Sequence, residues 1–392
     1  MPTSPGVRRV RLALVAAGVI VASVAPVAPA AAQSPVITLE ASDRHVTFKR
    51  AVVLSGTVTD PSASGQNVEI VNAAGTVVAT AVVDDAGTFE TRYEPRKKSE
   101  LQARWLAHMS EAVTVNVRPV TSVDLRSAPL FGRARVSGIV RPVMQGERAT
   151  LTLKRNGRSV GQRSVVLGAS PRFKSSFVIH APGRHAVSLH IDGDEHLADR
   201  SKSDSFVTAL PSLSSGSRGR PVKLLERRLI GLGYYLPRAD RIYDNKTYDA
   251  VIAFHKVQRS SRVGSVDGAT WKALADPKVP RPRVRRGYHI EIDQTRQVLF
   301  VVKNRKVRWI LHTSTGAGGI TRDGDWRVHR KLAGTSGGGL YYPSYFDGLR
   351  AIHGWPEVPT YPASHGCARV PMWSAQWIYS KTEIGTRVLV YH

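Results

Sequence analysis

An internal repeat in the N-terminal half of the chain limits the possible folds more than any other feature. Ser55-Gly56-Thr57-Val58 recurs 82 residues later as Ser137-Gly138-Ile139-Val140, and Phe89 matches Phe173 at nearly the same offset. Around both copies apolar and polar residues alternate, which is the period of a strand with one buried face. Turn pairs such as Asn156-Gly157 separate these runs. The pattern predicts two copies of one all-β module built from short strands.

Each copy resembles a small immunoglobulin-like domain of bacteria. The resemblance implies two β-sandwiches, one over residues 33–118 and one over residues 119–209. Neither copy contains a cysteine or a cluster of titratable residues. We interpret both as spacers, and binding of a sugar or a protein is the alternative.

The first 32 residues have the pattern of a secretory signal peptide. Arg8, Arg9 and Arg11 precede an uncharged apolar run from Leu12 to Ala25, and Ala30-Ala31-Ala32 supplies the small residues of a cleavage site. The run is shorter than the roughly 20 residues of a membrane-spanning helix, although an uncleaved anchor is the alternative. No cysteine near this region could carry a lipid. We expect export to the cell wall or the extracytoplasmic envelope.

The charge of the chain limits its partners. Its 392 residues include 56 Lys and Arg but only 30 Asp and Glu, a formal net charge of +26, and 42% of the residues are hydrophobic. The composition is that of a globular protein, and the excess of cations predicts a polyanionic partner. Export argues against nucleic acid. Phosphate-rich wall polymers, peptidoglycan carboxylates and lipid headgroups are the candidates that remain, and a merely solvated surface is the alternative.

Helical periodicity begins after a Ser- and Gly-rich joint. Apolar residues that would share one helix face are Val222, Leu225, Leu229 and Leu232. Residues 212–276 resemble a three-helix peptidoglycan-binding domain, on the segments Leu232-Gly233-Tyr234-Tyr235 and Val266-Asp267-Gly268-Ala269-Thr270-Trp271. The resemblance implies binding to peptidoglycan. A helical spacer without affinity is the alternative.

A Pro- and Arg-rich linker over residues 277–286 precedes a β-rich C-terminal domain over residues 287–392. The predicted elements of this domain are strands over Tyr288 to Asp293, Gln297 to Val302, Lys306 to Ser314 and Thr386 to Tyr391, and a helix over Met372 to Ser380. The predicted fold class is therefore multi-domain and mainly β, with two immunoglobulin-like sandwiches, a small three-helix domain and a β-rich C-terminal domain.

The single cysteine of the chain excludes an intramolecular disulfide framework and a multi-cysteine metal site. Cys367 lies in Ser364-His365-Gly366-Cys367-Ala368-Arg369, and His353 precedes it in Ile352-His353-Gly354. A thiol nucleophile needs a base nearby, and a fold can bring it an imidazole from a separate segment. The N–H groups of Gly366 and Cys367 could point at a developing oxyanion.

Two alternatives compete with nucleophilic catalysis. A lone cysteine with incidental histidines is often only a small buried hydrophobic residue. His353, His365 and Cys367 could also supply three zinc ligands, but the His-x-Cys spacing suits tetrahedral geometry poorly and the chain has no second cysteine. We expect no metal and no cofactor.

Together with the strand end Ser314-Thr315-Gly316, these segments resemble the active-site signature of the L,D-transpeptidase catalytic domain. The resemblance implies that Cys367 attacks the carbonyl between diaminopimelate and the terminal D-alanine of a donor tetrapeptide stem, and that D-alanine leaves. His353 would transfer the protons, and the amine of a second stem would resolve the thioester. The implied partners are peptidoglycan stem peptides and glycan strands, with carbapenems as inhibitors.

The resemblance also implies roles around the thiol. The carbonyl of Gly354 would orient an imidazole, and His365 would shape the pocket and support the thiolate. Arg369 would either pair with a substrate carboxylate or brace the loop. Thr321-Arg322-Asp323-Gly324 stands where the family shows Thr-Pro-x-Gly, so the local loop is expected to differ. Further candidates for the substrate groove are Ser364, Tyr341, Tyr345, Trp355 and Tyr361, and a core role is the alternative for the aromatic residues.

Two other functions remain open at this point. If water resolves the thioester, the same site is that of an L,D-carboxypeptidase. If the last domain is only a scaffold, the chain is a non-catalytic wall-binding protein. The presence of both Cys367 and His353 favours an enzyme.

Overall fold

The computed structural model describes residues 36–193 and 197–392. The predicted signal peptide, residues 1–32, lies outside the described residues. Within the described ranges no helix is long and apolar enough to cross a membrane. The chain forms two compact units, of which the smaller contains Leu54–Thr91 and Leu101–Val113.

Short strands dominate the N-terminal part of the described chain. They are β1 (Glu40–Ala41), β2 (His45–Thr47), β3 (Val52–Thr57), β4 (Asn67–Asn72), β5 (Val77–Val82), β6 (Thr88–Tyr93), β7 (Ser99–Trp105), β8 (His108–Met109) and β9 (Val113–Arg118). Strand β4 runs antiparallel to β5 and β7, whereas β2 is parallel to β9.

Two antiparallel sheets follow. Their strands are β10 (Val120–Arg126), β11 (Arg133–Arg141), β12 (Arg148–Arg155), β13 (Arg158–Val166), β14 (Arg172–Val178), β15 (Arg184–Ile191) and β16 (Arg200–Val207). One sheet has the order β10-β11-β14 and the other β13-β12-β15-β16. The N–H of Leu125 donates to the carboxylate of Asp204 at 2.8 Å and so links the two sheets.

The glycines of the sequence repeat have a packing role. A Cβ atom at Gly56 would lie 2.5 Å from the ring of Phe89, and a Cβ atom at Gly138 would lie 2.5 Å from the ring of Phe173. In both copies, therefore, an aromatic ring lies directly on the backbone of a neighbouring strand. This contact explains why the glycine and the phenylalanine recur together.

Three helices form the next part of the chain: α1 (Arg220–Gly231), α2 (Asn245–Gln258) and α3 (Gly268–Ala275). The carboxylate of Asp244 caps α2 by accepting from two backbone N–H groups, and that of Asp267 caps α3 by accepting from the N–H and the hydroxyl of Thr270. Such caps satisfy N–H groups that have no partner within the helix.

Two sheets and one helix make up the C-terminal part. The elements are β17 (His289–Asp293), β18 (Val298–Lys303), β19 (Lys306–His312), β20 (Gly324–Arg327), β21 (Arg330–Lys331), β22 (Tyr341–Asp347), β23 (Arg350–Trp355), β24 (Ala368–Pro371), α4 (Met372–Ser380) and β25 (Arg387–Tyr391). One sheet has the order β19-β18-β17-β25-β20, with β17 parallel to β25, and the other has the order β21-β22-β23-β24.

One buried cluster joins both C-terminal sheets and α4. It includes Ile290 and Leu299 from the five-stranded sheet, Ile352 and Val370 from the four-stranded sheet, and Ile378 from α4. Each sheet therefore has one face on this core. The opposite face of β23 and β24, away from this core, carries His353 and Arg369.

The predicted fold class is confirmed: the structure is mainly β, with a helical domain and a β-rich C-terminal domain. The strands predicted in the C-terminal domain agree with β17, β18, β19 and β25 to within two residues, and the helix agrees with α4. The short strands β20 to β24 have no counterpart in the prediction. Bulges interrupt the pairing of β22 with β23, so the alternation that identifies a strand is broken there.

A buried carboxylate fixes the start of the C-terminal domain. Glu291 on β17 is fully buried and accepts hydrogen bonds from the N–H groups of Arg283 and Val284 in the linker, at 3.1 and 3.0 Å. It also lies 3.0 Å from Nε2 of His289 and 3.3 Å from the hydroxyl of Tyr391. The linker is therefore attached to the domain at this point.

We predict that Glu291→Gln destabilises the C-terminal domain, because an amide nitrogen cannot accept the hydrogen bonds that one carboxylate oxygen accepts. The expected loss in the free energy of unfolding is about 2–3 kcal/mol, measured by chemical denaturation of the full chain. Glu383→Gln, at an exposed position, is the control and should change little. Equal effects of the two substitutions would contradict this role of Glu291.

Candidate active site

The register of two parallel strands brings Cys367 and His353 together. Ile352 and Val370 point into the core, so the residues next to them, His353 and Arg369, point to the opposite face of the sheet. In the pairing of β23 with β24, His353 lies opposite Arg369. Cys367 directly precedes β24, and extending the register by one residue places it beside Ala351, whose N–H contacts its Sγ and which shares the face of His353.

The thiol of Cys367 is partly buried between strand ends. The N–H of Ala351 donates to Sγ at 3.4 Å, and the thiol lies 3.9 Å from the carbonyl oxygen of Leu349. Burial raises the pKa of the Cys367 thiol, while the N–H of Ala351 and the positive charges of Arg369 and Arg350 oppose this shift in part. The thiol form is therefore favoured.

The tautomer of His353 follows from its one hydrogen bond. Nδ1 lies 2.9 Å from the carbonyl oxygen of Gly354. A carbonyl oxygen only accepts, so Nδ1 carries the hydrogen and Nε2 keeps a free lone pair. The sequence left this nitrogen undetermined. Burial lowers the pKa of His353 to about 4, the bond to Gly354 opposes that shift, and the charge of Arg369 adds to it.

The two pKa shifts have one consequence for the resting site. A raised thiol pKa and a lowered imidazole pKa both favour the uncharged form. At neutral pH the two shifts therefore favour a neutral thiol and a neutral imidazole over a thiolate and an imidazolium. Nε2 of His353 is available as a proton acceptor over the whole neutral range.

The turn before Cys367 is braced by its own serine. The hydroxyl of Ser364 donates to the carbonyl oxygen of Cys367 at 2.6 Å and accepts from the N–H of Gly366 at 3.1 Å. Two expectations need correction here. The hydroxyl of Ser364 is used within the turn rather than facing a substrate, and the N–H of Gly366 is not free for an oxyanion. Among the described residues no acceptor pairs with the N–H groups of His365 and Cys367.

A second brace comes from the loop after β19. The hydroxyl of Thr321 donates to the carbonyl oxygen of Gly366 at 2.9 Å and accepts from the N–H of Gly316 at 2.7 Å. A Cβ atom at Gly316 would lie 3.0 Å from the Cα of Gly366. The glycines thus permit a backbone contact that larger residues would block.

The departure from the Thr-Pro-x-Gly pattern has a specific consequence. Arg322, in place of the proline, forms a bidentate pair with the buried carboxylate of Asp347, with Nε 3.0 Å from Oδ2. Arg350 donates to the same carboxylate at 3.2 Å and to the carbonyl oxygen of Ile320 at 3.2 Å. A Cβ atom on Gly366 would lie 2.8 Å from Nε of Arg350. Arg322, Asp347 and Arg350 together therefore hold the turn that carries the thiol.

Two predicted substrate residues lie beside the imidazole. The guanidinium of Arg369 stands 4.9 Å from the centre of the Trp355 ring, and that ring meets His353 edge-to-face at 5.7 Å. No carboxylate is paired with Arg369 among the described residues. Tyr341 packs against the backbone of Gly354, where a Cβ atom would lie 3.1 Å from its ring.

The remaining predicted residues differ in exposure. Tyr345 pairs with Ala351 and shares the face of the site, but it is only 6% exposed because the guanidinium of Arg330 lies 4.0 Å above its ring. The expectation that Tyr345 lines an open groove is therefore corrected. His365 is exposed, and Tyr361 is 62% exposed.

The contacts of Thr321, Asp347 and Arg350 around the turn could not be identified from the sequence. Their role depends on contacts between loops that lie far apart in the chain, and no local pattern marks such contacts. The one available signal was the replacement of a proline by Arg322, a side chain that needs an anionic partner. Within residues 36–193 and 197–392, no group of three or more His, Cys, Asp or Glu residues is arranged to hold a metal ion.

Comparison with known proteins matches two parts of the chain to known families. The family model of the L,D-transpeptidase catalytic domain matches residues 287–390, and that of a peptidoglycan binding domain matches residues 218–274. An L,D-transpeptidase from Xylanimonas cellulosilytica, solved by crystallography, is 35% identical in sequence, and the alignment covers 47% of this chain and 100% of that chain with a TM-score of 0.45. The chain belongs to the L,D-transpeptidase family.

Other solved structures are less similar. The Ldtfm avibactam carbamoyl enzyme is 26% identical, over 27% of this chain and 49% of that chain, with a TM-score of 0.24. The catalytic domain of an Enterococcus faecium L,D-transpeptidase is 24% identical, over 28% of this chain and 100% of that chain, with a TM-score of 0.24. No curated protein matches the chain with significance.

We predict that Arg350→Gln slows alkylation of Cys367 by iodoacetamide at pH 8 about threefold, because the positive charge that opposes the rise of the thiol pKa is lost. Arg350→Lys should keep most of the rate, since it keeps the charge. Arg327→Gln, in the same domain, is the control for a general change in charge. A Lys variant as slow as the Gln variant would contradict the electrostatic role.

Proposed function

We propose that this chain is an exported cell-wall L,D-transpeptidase that cross-links peptidoglycan stem peptides through an acyl-enzyme on Cys367. The observation that carries the proposal is the free Nε2 of His353 on the same sheet face as the thiol. A nucleophile and a base from separate segments, with the base oriented by a third group, is the arrangement that covalent acyl transfer needs. Membership of the L,D-transpeptidase family supports the substrate class.

The first half-reaction forms the thioester. As Sγ of Cys367 bonds to the carbonyl carbon between diaminopimelate and the terminal D-alanine, its proton passes to Nε2 of His353. The bond to the D-alanine nitrogen then breaks, and Nε2 returns the proton to that nitrogen. Because the resting pair is neutral, we propose that proton transfer accompanies the attack instead of preceding it.

The second half-reaction makes the cross-link. The side-chain amine of a diaminopimelate in a second stem attacks the thioester, and Nε2 of His353 takes a proton from the amine. The carbon–sulfur bond breaks, and the proton passes to Sγ. The Gly354 carbonyl keeps the imidazole in the required tautomer throughout, in the same way as the third member of a catalytic triad.

The oxyanion of each tetrahedral intermediate needs donors. We assign them to the N–H groups of Cys367 and His365, since the N–H of Gly366 is already bonded to Ser364. We assign the substrate carboxylate to Arg369, whose guanidinium lies on Trp355 beside the imidazole. The same site is expected to be acylated by carbapenems, and the avibactam adduct of the Ldtfm enzyme supports inhibitor binding.

We predict that the mature protein releases D-alanine from tetrapeptide muropeptides and yields cross-linked dimers. Cys367→Ala should abolish both products, and His353→Gln should lower the rate by about 10²–10⁴-fold, the usual contribution of a general base. Mass spectrometry of the products measures both. Release of D-alanine without dimers would indicate a carboxypeptidase, and no release from the wild type would support a non-catalytic scaffold.

The lowered pKa of His353 predicts the acid limb of the pH–rate profile. The base is neutral above its pKa of about 4, so kcat/KM for the donor should be flat down to about pH 5 and fall to half near pH 4. Arg369→Gln removes a charge that lowers this pKa, so its acid limb should move to higher pH. An acid limb of the wild type near pH 6.5, the ordinary value of histidine, would contradict a neutral buried base.

We propose a wall location, supported by the two peptidoglycan-related domains. A cationic sheet face adds a contact to anionic wall polymers. On the outer side of β10-β11-β14, the exposed cations are Arg126, Arg133, Arg135, Arg141, Arg172 and Lys174. Arg126 lies directly opposite Arg135, a like-charge pair that costs stability. Within the described part of the chain, the acid beside them is Asp124, 3.9 Å from Arg126. The face therefore suits a phosphate-rich polymer.

We predict that replacing Arg126, Arg135, Arg172 and Lys174 by Gln lowers retention on sacculi that keep their phosphate polymers, and flattens its salt dependence. The matched control replaces four exposed cations of the other sheet: Arg148, Lys154, Arg158 and Arg184. Equal losses in the two variants would mean that net charge, and not this face, holds the protein. Unchanged retention on polymer-free sacculi would assign the remaining affinity to residues 212–276.

A further inference from the structure

A lysine of the helical domain is buried against the C-terminal domain. Lys256 on α2 is only 2% exposed. Its Nζ lies 2.9 Å from the carbonyl oxygen of Gln297, 2.9 Å from that of Thr313 and 2.6 Å from Nδ1 of His312. Nζ therefore has three hydrogen-bond partners, and burial lowers the pKa of Lys256 well below its ordinary value. All three belong to the C-terminal domain.

His312 links Lys256 to Val358, which lies in the segment before Cys367. Its Nε2 lies 2.7 Å from the carbonyl oxygen of Val358, so Nε2 holds the hydrogen and Nδ1 accepts from Lys256. Burial lowers the pKa of His312 well below its ordinary value, and the charge of Lys256 lowers it further. The imidazole is therefore neutral and is fixed in one tautomer.

Val358 belongs to the connecting segment, residues 356–363, which runs from the end of β23 to Ser364. A second residue of the helical domain holds it: Arg262 donates from Nη1 to the carbonyl oxygen of Thr360 at 2.6 Å and from Nη2 to that of Thr295 at 2.9 Å. The connecting segment joins the strand of His353 to the turn of Cys367. It is therefore the covalent link between the two segments that carry these residues.

The other contacts of the connecting segment come from residues next to the carbonyls that Lys256 binds. The hydroxyl of Ser314 donates to the carbonyl oxygen of Tyr361 at 2.7 Å, and the N–H of Ala363 donates to that of Thr315 at 2.8 Å. Thr315 is in turn held by the side-chain amide of Gln297. The N–H of Thr315 donates to Oε1 at 2.8 Å, and Nε2 donates to the hydroxyl of Thr315 at 2.7 Å. Lys256 binds the carbonyl oxygens of Gln297 and Thr313. It therefore contacts the backbone of Gln297, which holds Thr315, and the backbone next to Ser314.

Contacts of the segment after α1 also hold the helical domain against the C-terminal domain. The ring of Tyr235 stacks on that of Trp377 with 3.8 Å between centres, and Ile310 on β19 exchanges backbone hydrogen bonds with Gly233 and Tyr235 at 2.8 and 3.0 Å. A buried ammonium contributes less to stability than an apolar side chain of the same size would, because its desolvation is costly. Stability alone therefore does not explain Lys256.

We propose that the helical domain is part of the catalytic apparatus: Lys256 and Arg262 are positioning residues that hold the connecting segment and thereby set Cys367 against His353. The role is separate from wall binding, and it rests on the proposed function for its catalytic consequence. A displacement of the thiol by about 1 Å is enough to lower the rate of acylation by about 10²-fold.

The test uses the full chain and a soluble carbapenem, so that wall binding is not needed. Lys256→Met should slow formation of the Cys367 adduct, followed by intact mass, by about tenfold to hundredfold, with retention on sacculi unchanged. Amide hydrogen exchange should rise in residues 356–363 and stay unchanged in β17 and β18. Lys272→Met, at an exposed position of α3, is the matched control and should behave as the wild type.

Arg262→Gln provides a second variant whose side chain is only partly buried, so its fold does not depend on filling a buried site. It should raise exchange in the same segment and slow acylation, and the double variant should lose less than the sum of the two single losses. Wild-type acylation in both variants, or exchange that rises throughout the domain, would overturn the proposal. An inert wild type would contradict the proposed function, and the exchange measurement would then decide the positioning role.

Discussion

The site depends on the parallel pairing of β23 with β24. Because the buried Ile352 and Val370 fix which face of each strand meets the core, the residues beside them must point away from it. This register puts His353, Arg369 and Cys367 on one face. A shift of either strand by one residue would turn its functional side chain into the core. The geometry of the proposed active site is therefore a consequence of hydrophobic packing on the other side of the same sheet.

Polar contacts, and not hydrophobic packing, position the turn that carries the thiol. Ser364 holds this turn from within, Thr321 holds it from the loop after β19, and Asp347 holds it through two arginines. The carboxylate of Asp347 is almost fully buried, so removing either guanidinium would leave a charge without full compensation. Where the family pattern has a proline that restricts the backbone, Arg322 instead forms an ion pair with Asp347.

Much of this architecture could be predicted from the sequence. The 82-residue repeat indicated the two β-rich modules, and the segments around Cys367 and His353 indicated the family. The free nitrogen of His353 could not be predicted, since it depends on the direction of one carbonyl. Nor could the engaged N–H of Gly366, the covered ring of Tyr345 or the buried Lys256, because each depends on contacts between segments distant in the chain. The immunoglobulin-like assignment and the residue roles remain predictions.

The most direct test of the central claim is the intact mass of the full-length protein after brief incubation with a tetrapeptide donor and no acceptor. An acyl-enzyme on Cys367 predicts a mass increase equal to the donor less D-alanine, located on the peptide that contains Cys367. His353→Gln should accumulate this adduct far more slowly. Release of D-alanine by a wild-type protein whose Cys367 is never modified, or by Cys367→Ala, would contradict the account.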